Sequence, residues 1–487
     1  MIPDLPAELW IKILSYLPPC SARYLLGVNR LFFDYAMDTL HCRFDLTEAN
    51  GHTLAQLQAP LVAPYIRRLD IWSHCFYHLD YPTPPRAFRR TRSLLSLCSS
   101  KSCCAKDILS TLTEALPRLH QLDHISLVLD EMWDPVFSDF LSDLLSARGP
   151  VIRKLSINAT VHKVNELLES HLAAPSPFPG LEYLDLKLAA SHDFFMEEDL
   201  DDLCDAITTF IKSNKQSLRT LIFADPAFID VSNVFRDLGC LPSLKRLELS
   251  IPMLLSTLPR FEYLENFLTL NASTLECLVL KCRRFLLPDD TTQQFLFDVL
   301  PRLSLPVLSE FDIGIYSYTK PRVPFHLPSF VHFAPNIKTL KIQFSPNYLN
   351  EEDITNLLRN LSEYGLGLRS LHIQVQDLTP DLFLHISSSL PGLTSLRITY
   401  AQPRFDGWET VHQKAERSAF CARFENRRFA PWSLKYLKLT HRSPCQEGHP
   451  DRLVCEAVAA CIPELEVIDD TRSCRCGCMP AKGGLGL

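Results

Sequence analysis

A short apolar phrase, L-x-x-L-x-L with Ile or Phe allowed, recurs through this chain at a nearly constant interval. Its copies are Ile66-Leu69-Ile71, Ile152-Leu155-Ile157, Leu181-Leu184-Leu186, Leu218-Leu221-Phe223, Leu244-Leu247-Leu249 and Leu275-Leu278-Leu280. They continue with Leu308-Phe311-Ile313, Ile337-Leu340-Ile342, Leu368-Leu371-Ile373, Leu393-Leu396-Ile398 and Leu434-Leu437-Leu439, with a weaker copy at Leu122-Ile125-Leu127. From Ile152 to Leu393 the steps are 29, 37, 26, 31, 33, 29, 31 and 25 residues. A period of this length builds a stacked solenoid in which each repeat buries its apolar face against the next. The last two anchors of each phrase stand two residues apart, so on an extended strand both point into the core and the residue between them points outward.

Punctuation supports the same reading. A proline stands two residues before the first anchor at Pro64, Pro150, Pro179, Pro242, Pro306, Pro335, Pro391 and Pro463. Proline lacks an N–H and moves its predecessor out of the helical region, so it ends a helix and leaves the chain extended for the next strand. Between phrases lie helical patterns, among them residues 199–213 and 351–365, the second with Asn350 placed as an N-cap and Gly365 as a stop. The expected fold is α/β: about a dozen strand–turn–helix repeats over residues 60–470, giving a curved parallel sheet inside and helices outside. The phrases resemble leucine-rich repeats of the ribonuclease-inhibitor-like kind. They depart from that pattern three residues after the last anchor, where Ala189, Pro252, Arg283 and Ser345 replace the family's Asn or Cys. The turns must therefore be closed by something other than the usual asparagine ladder.

Length and charge narrow the function. At 487 residues with 46% hydrophobic side chains, the chain is a foldable protein of more than one compact core or of one elongated array. A net charge of −7 argues against coating nucleic acid or an anionic membrane, which needs a positive field. Protein partners are the expectation. Asp4, Glu8 and Lys12 interrupt the first apolar stretch, and no apolar run reaches the roughly 18 residues that span a bilayer, so an intracellular location, cytoplasmic or nuclear, is expected. The 17 cysteines then read as reduced thiols, and the sequons at Asn158, Asn271 and Asn360 carry no weight.

Ahead of the repeats stands LPAELWIKILSYLP, residues 5–18. Pro6 suits the first turn of a helix and Glu8 its positive end, with Trp10, Ile13, Leu14 and Leu17 at helical spacing, and Pro18-Pro19 ends it. Two further short helical segments follow at residues 21–28 and 29–40. Forty residues of this kind expose more apolar surface than they can bury alone. They either cap the first repeat or dock on a partner. The spacing L-P-x-E-L at Leu5, Pro6, Glu8 and Leu9, followed by Ile13, Leu17 and then LLGVNRLFF, resembles the F-box, over residues 1–45. The resemblance implies an adaptor that docks on a Skp-type protein, joins a cullin ubiquitin ligase through it, and presents a protein substrate held by the repeats. Carried over, Leu5, Pro6, Glu8, Leu9, Ile13 and Leu17, with Leu25, Val28 and Phe32, would form or support the docking face. CSARY replaces the family's acidic residue and leucine after the first helix, and Phe32 stands where tryptophan is frequent.

Other chemistry finds little footing. There is no G-x-S-x-G, no phosphate-binding glycine loop and no H-E-x-x-H, and only 15 glycines, so no catalytic residue, cofactor or metal is assigned. The tail, residues 471–487, carries Cys474, Cys476 and Cys478, but C-x-C-x-C lacks the spacing by which paired cysteines share one zinc, so a flexible tail is expected over a metal or redox sensor. Residues 81–106, rich in Pro, Ser, Arg and Lys, read as a projecting basic loop, with nuclear import or an acidic partner as its functional alternative. Residues 196–206, MEEDLDDLCDA, open a helix whose dipole suits them. Finally, the outward residues between anchors run Ser156, Asp185, Ile222, Glu248, Val279 and Asp312, then Lys341, His372, Arg397 and Lys438. If the strands align, the last four form a basic stripe suited to an acidic or phosphorylated segment of a protein substrate. The rival to the ligase reading is a leucine-rich scaffold that binds a partner without any ligase.

Overall fold

The computed structural model describes residues 5–46, 51–73, 105–129, 135–169, 178–189, 197–225, 229–251, 258–284, 299–317, 333–345, 348–363, 367–403, 422, 424, 432–441, 457–462 and 464–469. The basic stretch 81–106, save its last two residues, and the whole tail 471–487 lie outside them, as do Pro463 and Gly365. The chain divides into two compact units, Met1–Ala227 and Phe228–Leu487.

The first unit opens with a helix, Ala7–Leu14, a 3-10 helix, Pro19–Leu25, and a second α-helix, Arg30–His41. Six strands follow: β1 Arg43–Leu46, β2 Arg68–Trp72, β3 His124–Leu129, β4 Lys154–Thr160, β5 Tyr183–Ala189 and β6 Thr220–Ala224. Each pairs in parallel with the next. Helices Gly51–Gln58, Ala105–Ala115, Pro135–Arg148, Val161–Leu167 and Glu197–Ser213 fill the connections. The second unit carries β7 Arg246–Ser250, β8 Cys277–Arg284, β9 Glu310–Ser317, β10 Thr339–Ser345, β11 Ser370–Leu378, β12 Ser395–Pro403, β13 Tyr436–His441 and β14 Val467–Asp469. These also pair in parallel and in chain order. Helix Ser232–Leu238 precedes β7, and helices Phe261–Leu270, Glu351–Glu363 and Pro380–Ser389 run between the strands. Strand after strand joined to its sequence neighbour, with helical crossovers, is the α/β arrangement expected from the repeated phrase.

Register explains the phrase. Leu69, Ile125, Leu155, Leu184 and Leu221 stand opposite one another in the first unit, as do Leu278, Phe311, Leu340, Leu371, Leu396 and Leu437 in the second. All three anchors of all twelve phrases are buried. Alternation across the strand leaves the intervening residue on the other face.

The prolines have a more specific task than ending a helix. At each of the seven described positions the first anchor's N–H donates to the carbonyl of the residue before the proline, at 3.0–3.4 Å: Ile66 to Ala63, Ile152 to Gly149, Leu181 to Phe178, Leu244 to Leu241, Leu308 to Leu305, Ile337 to Ala334 and Leu393 to Leu390. Proline thus occupies the second position of a β-turn, where its fixed φ is already correct. The repeats feeding β6 and β8 have no such proline, and an asparagine stands four residues before the first anchor instead. Asn214 and Asn271 accept through their backbone carbonyls from Leu218 and Leu275, each at 3.1 Å. The Asn271 side chain, 1% exposed, also accepts from the Leu241 N–H at 2.8 Å and donates to Phe267 O at 2.7 Å and Gly239 O at 3.2 Å. It ties the end of one helix to the loop of the preceding repeat. Gly239 makes that loop possible, its φ of 64° lying in the left-handed region. These asparagines hold the turn before the strand, where the family's ladder would have held the turn after it.

Candidate functional site

The N-terminal helices have two apolar faces. Pro6 caps the first helix with extended backbone, Glu8 lies in its first turn, and the Ser15 hydroxyl donates to Lys12 O at 2.7 Å at its end. Trp10 and Leu14, four residues apart, face the helix Arg30–His41. Trp10 meets Phe32 edge-on at 5.3 Å between centroids, Leu14 is 2% exposed, and the Tyr35 hydroxyl donates to Leu14 O at 2.7 Å. Asn29 caps that second helix, accepting from the Phe32 N–H at 3.0 Å. The second helix is in turn fastened to the first repeat. The Tyr65 hydroxyl donates to Asp34 at 2.6 Å, Arg67 pairs with Asp38 at 2.8 Å, and Ala36 and Met37 are buried. The Tyr65 hydrogen bond holds the Asp34 carboxyl below its ordinary range.

The other face stays uncovered. Leu5, Leu9, Ile13 and Leu17 recur every four residues and all are exposed, Leu9 at 46% and Ile13 at 45%. Val28 joins them at 58%, together with Ile11, Tyr16, Tyr24 and Leu26, which the motif did not single out. Sixteen large apolar side chains are exposed among the described residues, and these nine lie within residues 5–28. Pro6 and Glu8 are exposed beside them, and Leu25 is half-buried. Phe32 is also half-buried and packs inward on Trp10, so it supports the face without forming it. Such a concentration of apolar surface marks an interaction site. The strand β1, residues 43–46, falls at the end of the stretch 1–45 and is already paired with β2, so the helical segment gives way to the sheet at about Cys42.

The second candidate is the outward row of the second unit. Asp312, Lys341, His372, Arg397 and Lys438 stand opposite one another on successive strands, so the expected alignment of the last four is present. Their surroundings differ. Lys341 is bonded to Glu310 and lies 3.9 Å from Asp312. Upstream, Arg246 reaches Glu248 at 3.4 Å and Glu310 at 3.9 Å, and Lys281 is bonded to Glu248. Burial works to raise the Glu310 carboxyl, but Lys341 and Arg246 outweigh it and hold the group below its ordinary value. Arg397 is exposed, its guanidinium 5.5 Å from the centre of the Tyr436 ring. His372 is half-buried, and burial, with Arg397, Lys341 and Lys438 around it, lowers its pKa to about 4. The imidazole is therefore neutral near pH 7. Sequence alone identified the residue types but missed that Lys341 is neutralised, because Glu310 becomes its neighbour only through the pairing of β9 with β10.

Among the described residues, no group of three or more His, Cys, Asp or Glu side chains is arranged to hold a metal, and no helix is long and apolar enough to cross a membrane. The cysteines of the tail fall outside that description. Comparison of the sequence with family models and with curated proteins gave no match.

Proposed function

We propose that this chain is a non-catalytic substrate-receptor subunit of a Skp-cullin-F-box ubiquitin ligase. In this reading the N-terminal helices dock on a Skp-type adaptor, through it on a cullin, and the leucine-rich repeats capture a protein. The observation that carries it is the uncovered stripe Leu5, Leu9, Ile13 and Leu17 with Val28. A helix that only closed the first repeat would bury its apolar residues there. That sealing is performed by the second helix, through Tyr65–Asp34 and Arg67–Asp38, which leaves the outer face of the first helix for a partner. In such an assembly thioester chemistry belongs to other subunits, and this chain raises the effective concentration of a substrate lysine near the charged carrier. Co-precipitation of a Skp-type adaptor with the intact chain, and its loss in a Leu9→Asp, Ile13→Asp double variant that stays folded, tests the reading.

One observation favours a second reading, a repeat scaffold without a ligase. The fastening of the helix Arg30–His41 to the first repeat is also what an end cap needs. Failure of the folded intact chain to retain the adaptor would select it.

A further inference from the structure

The uncovered apolar stripe of the first helix is bordered by charge on one flank only. At 3.6 residues per turn, Lys12 and then Glu8 lie beyond Leu9, on the flank away from Trp10 and Leu14, which face the second helix. Both are exposed, Glu8 in the first turn and Lys12 in the last. They are of opposite sign and four residues apart, yet among the described residues neither forms an ion pair with the other or with anything else. Charges of the second helix, by contrast, are engaged: Arg30 lies 3.1 Å from Asp34, and Asp38 lies 2.8 Å from Arg67. One arrangement covers the stripe and pairs both charges at once. Two copies of this helix, antiparallel across a two-fold axis, bring like flanks together, because the axis reverses the chain direction and keeps the flank. With that axis level with Ile11, Leu9 of each copy meets Ile13 of the other. Glu8 of each copy then stands two residues along the helix from Lys12 of the other, about 3 Å of rise, within reach of a lysine side chain. A parallel pair would set the charged flank against the uncharged one and leave all four charges unpaired.

We propose that, without an adaptor, a second copy of this chain covers Leu5, Leu9, Ile13 and Leu17 through this antiparallel two-fold contact, so that self-association and adaptor docking exclude each other. The exclusion rests on the adaptor reading above, whereas the self-association rests only on the exposed stripe and the two charges beside it. An apolar face of this kind drives association when nothing else covers it. The contact is small, since Ala7–Leu14 is 8 residues long, about 12 Å of helix, and contacts of that size belong to the weak and transient class. A dimer dissociation constant on the order of 10 µM follows, so that below about 1 µM the chain is a monomer with its stripe open. Concentration and adaptor supply together decide which partner the face meets.

Sedimentation equilibrium of the full chain alone, from about 0.5 to about 50 µM, should show a monomer–dimer equilibrium and no larger species, because a two-fold contact closes on itself. Leu9→Asp, Ile13→Asp should abolish the dimer. Lys12→Glu gathers four glutamates at the contact and Glu8→Lys four lysines, and each should raise the dissociation constant about tenfold. An equimolar mixture of these two variants should recover the wild-type affinity as a heterodimer, since every pair across the contact is then glutamate against lysine. Lys245→Glu, in the second unit and paired with Glu276, changes the net charge as much as Lys12→Glu and should leave the equilibrium unchanged. Added purified Skp-type adaptor should convert the dimer to a one-to-one complex. A chain that binds the adaptor yet is monomeric at every concentration would overturn the self-association and leave the adaptor reading standing. A dimer that ignores the adaptor because it does not bind it would refute that reading and the exclusion, with the self-association intact. A dimer that survives Leu9→Asp, Ile13→Asp, gains nothing from mixing the charge variants, or carries two adaptors would place the contact elsewhere and overturn the proposal.

Discussion

Replacing Asn271 by alanine perturbs the turn that stands in for the missing proline. The amide accepts from Leu241 N–H at 2.8 Å and donates at 2.7 and 3.2 Å to Phe267 O and Gly239 O, in a site 1% exposed. Alanine leaves the Leu241 N–H with no acceptor there. The Phe267 carbonyl retains the Asn271 backbone N–H at 3.2 Å, so its loss is partial. An unmet buried donor costs about 1–3 kcal/mol and a lost hydrogen bond about 1 kcal/mol, so the substitution should cost about 3 kcal/mol. Hydrogen exchange followed by mass spectrometry reads this locally: amides around 239–245 and 261–275 should exchange roughly a hundredfold faster, with peptides of the first unit unchanged. Asn271→Asp keeps the acceptor but sets a carboxylate against two carbonyls. Its folded pKa should rise above the unfolded one, so the variant is most stable below the unfolded value and loses stability as pH rises through the raised folded value, and the deficit should shrink on acidification toward pH 4. A loss below about 1 kcal/mol for alanine, or a pH-independent deficit for aspartate, would show that the side chain does not hold the turn.

His372 gives a second prediction. Its pKa of about 4, against 6.5 when unfolded, means that the unfolded chain takes up the proton first as pH falls. Stability of the second unit is therefore full above pH 6.5 and is lost between 6.5 and 4, by up to about 3 kcal/mol from this group. Chemical denaturation of the wild type and of His372→Gln across that window should show a shallower slope in the variant; parallel curves would refute the assignment. His124, also lowered to about 4, chiefly by burial, contributes in the same direction in the first unit. The two faces of the first helix predict a contrast in stability. Leu14→Ala should cost about 2–5 kcal/mol and Leu9→Ala within about 0.5 kcal/mol by thermal unfolding. Similar losses for both would mean that Leu9 is covered.

Much of this fold is legible because a repeat states its pattern many times. The period-two spacing of anchors such as Leu371 and Ile373 sets which face of the strand is buried, and equal spacing on the next repeat sets the register. Asn350 was legible as a cap, and its side chain accepts from the Asp353 N–H at 2.8 Å. β1 was not, because Phe44 and Leu46 lack an anchor three residues earlier and are identified only by pairing with Leu69 and Ile71. The asparagine turns carry the pattern N-x-x-x-L-x-x-L-x-L, with Phe for the last Leu after Asn214, in two of the repeats that lack the proline; the repeats beginning at Leu122, Leu368 and Leu434 have neither residue. At the N-terminus, helical spacing alone does not say which of two apolar faces is covered; that depends on Trp10 meeting Phe32 and on Tyr35 reaching Leu14. The basic stripe was legible as a row and illegible as a field, since the neutralisation of Lys341 is a contact between strands.

The adaptor interaction is the most direct test of the account. Intact chain and the Leu9→Asp, Ile13→Asp variant, matched by thermal unfolding and circular dichroism, would each be immobilised and challenged with a purified Skp-type adaptor. Retention by the intact chain and loss by the variant at equal stability are expected. Retention by neither, with both folded, would contradict it and leave the N-terminal helices as the cap of a repeat scaffold; retention by both would place the contact elsewhere on the chain.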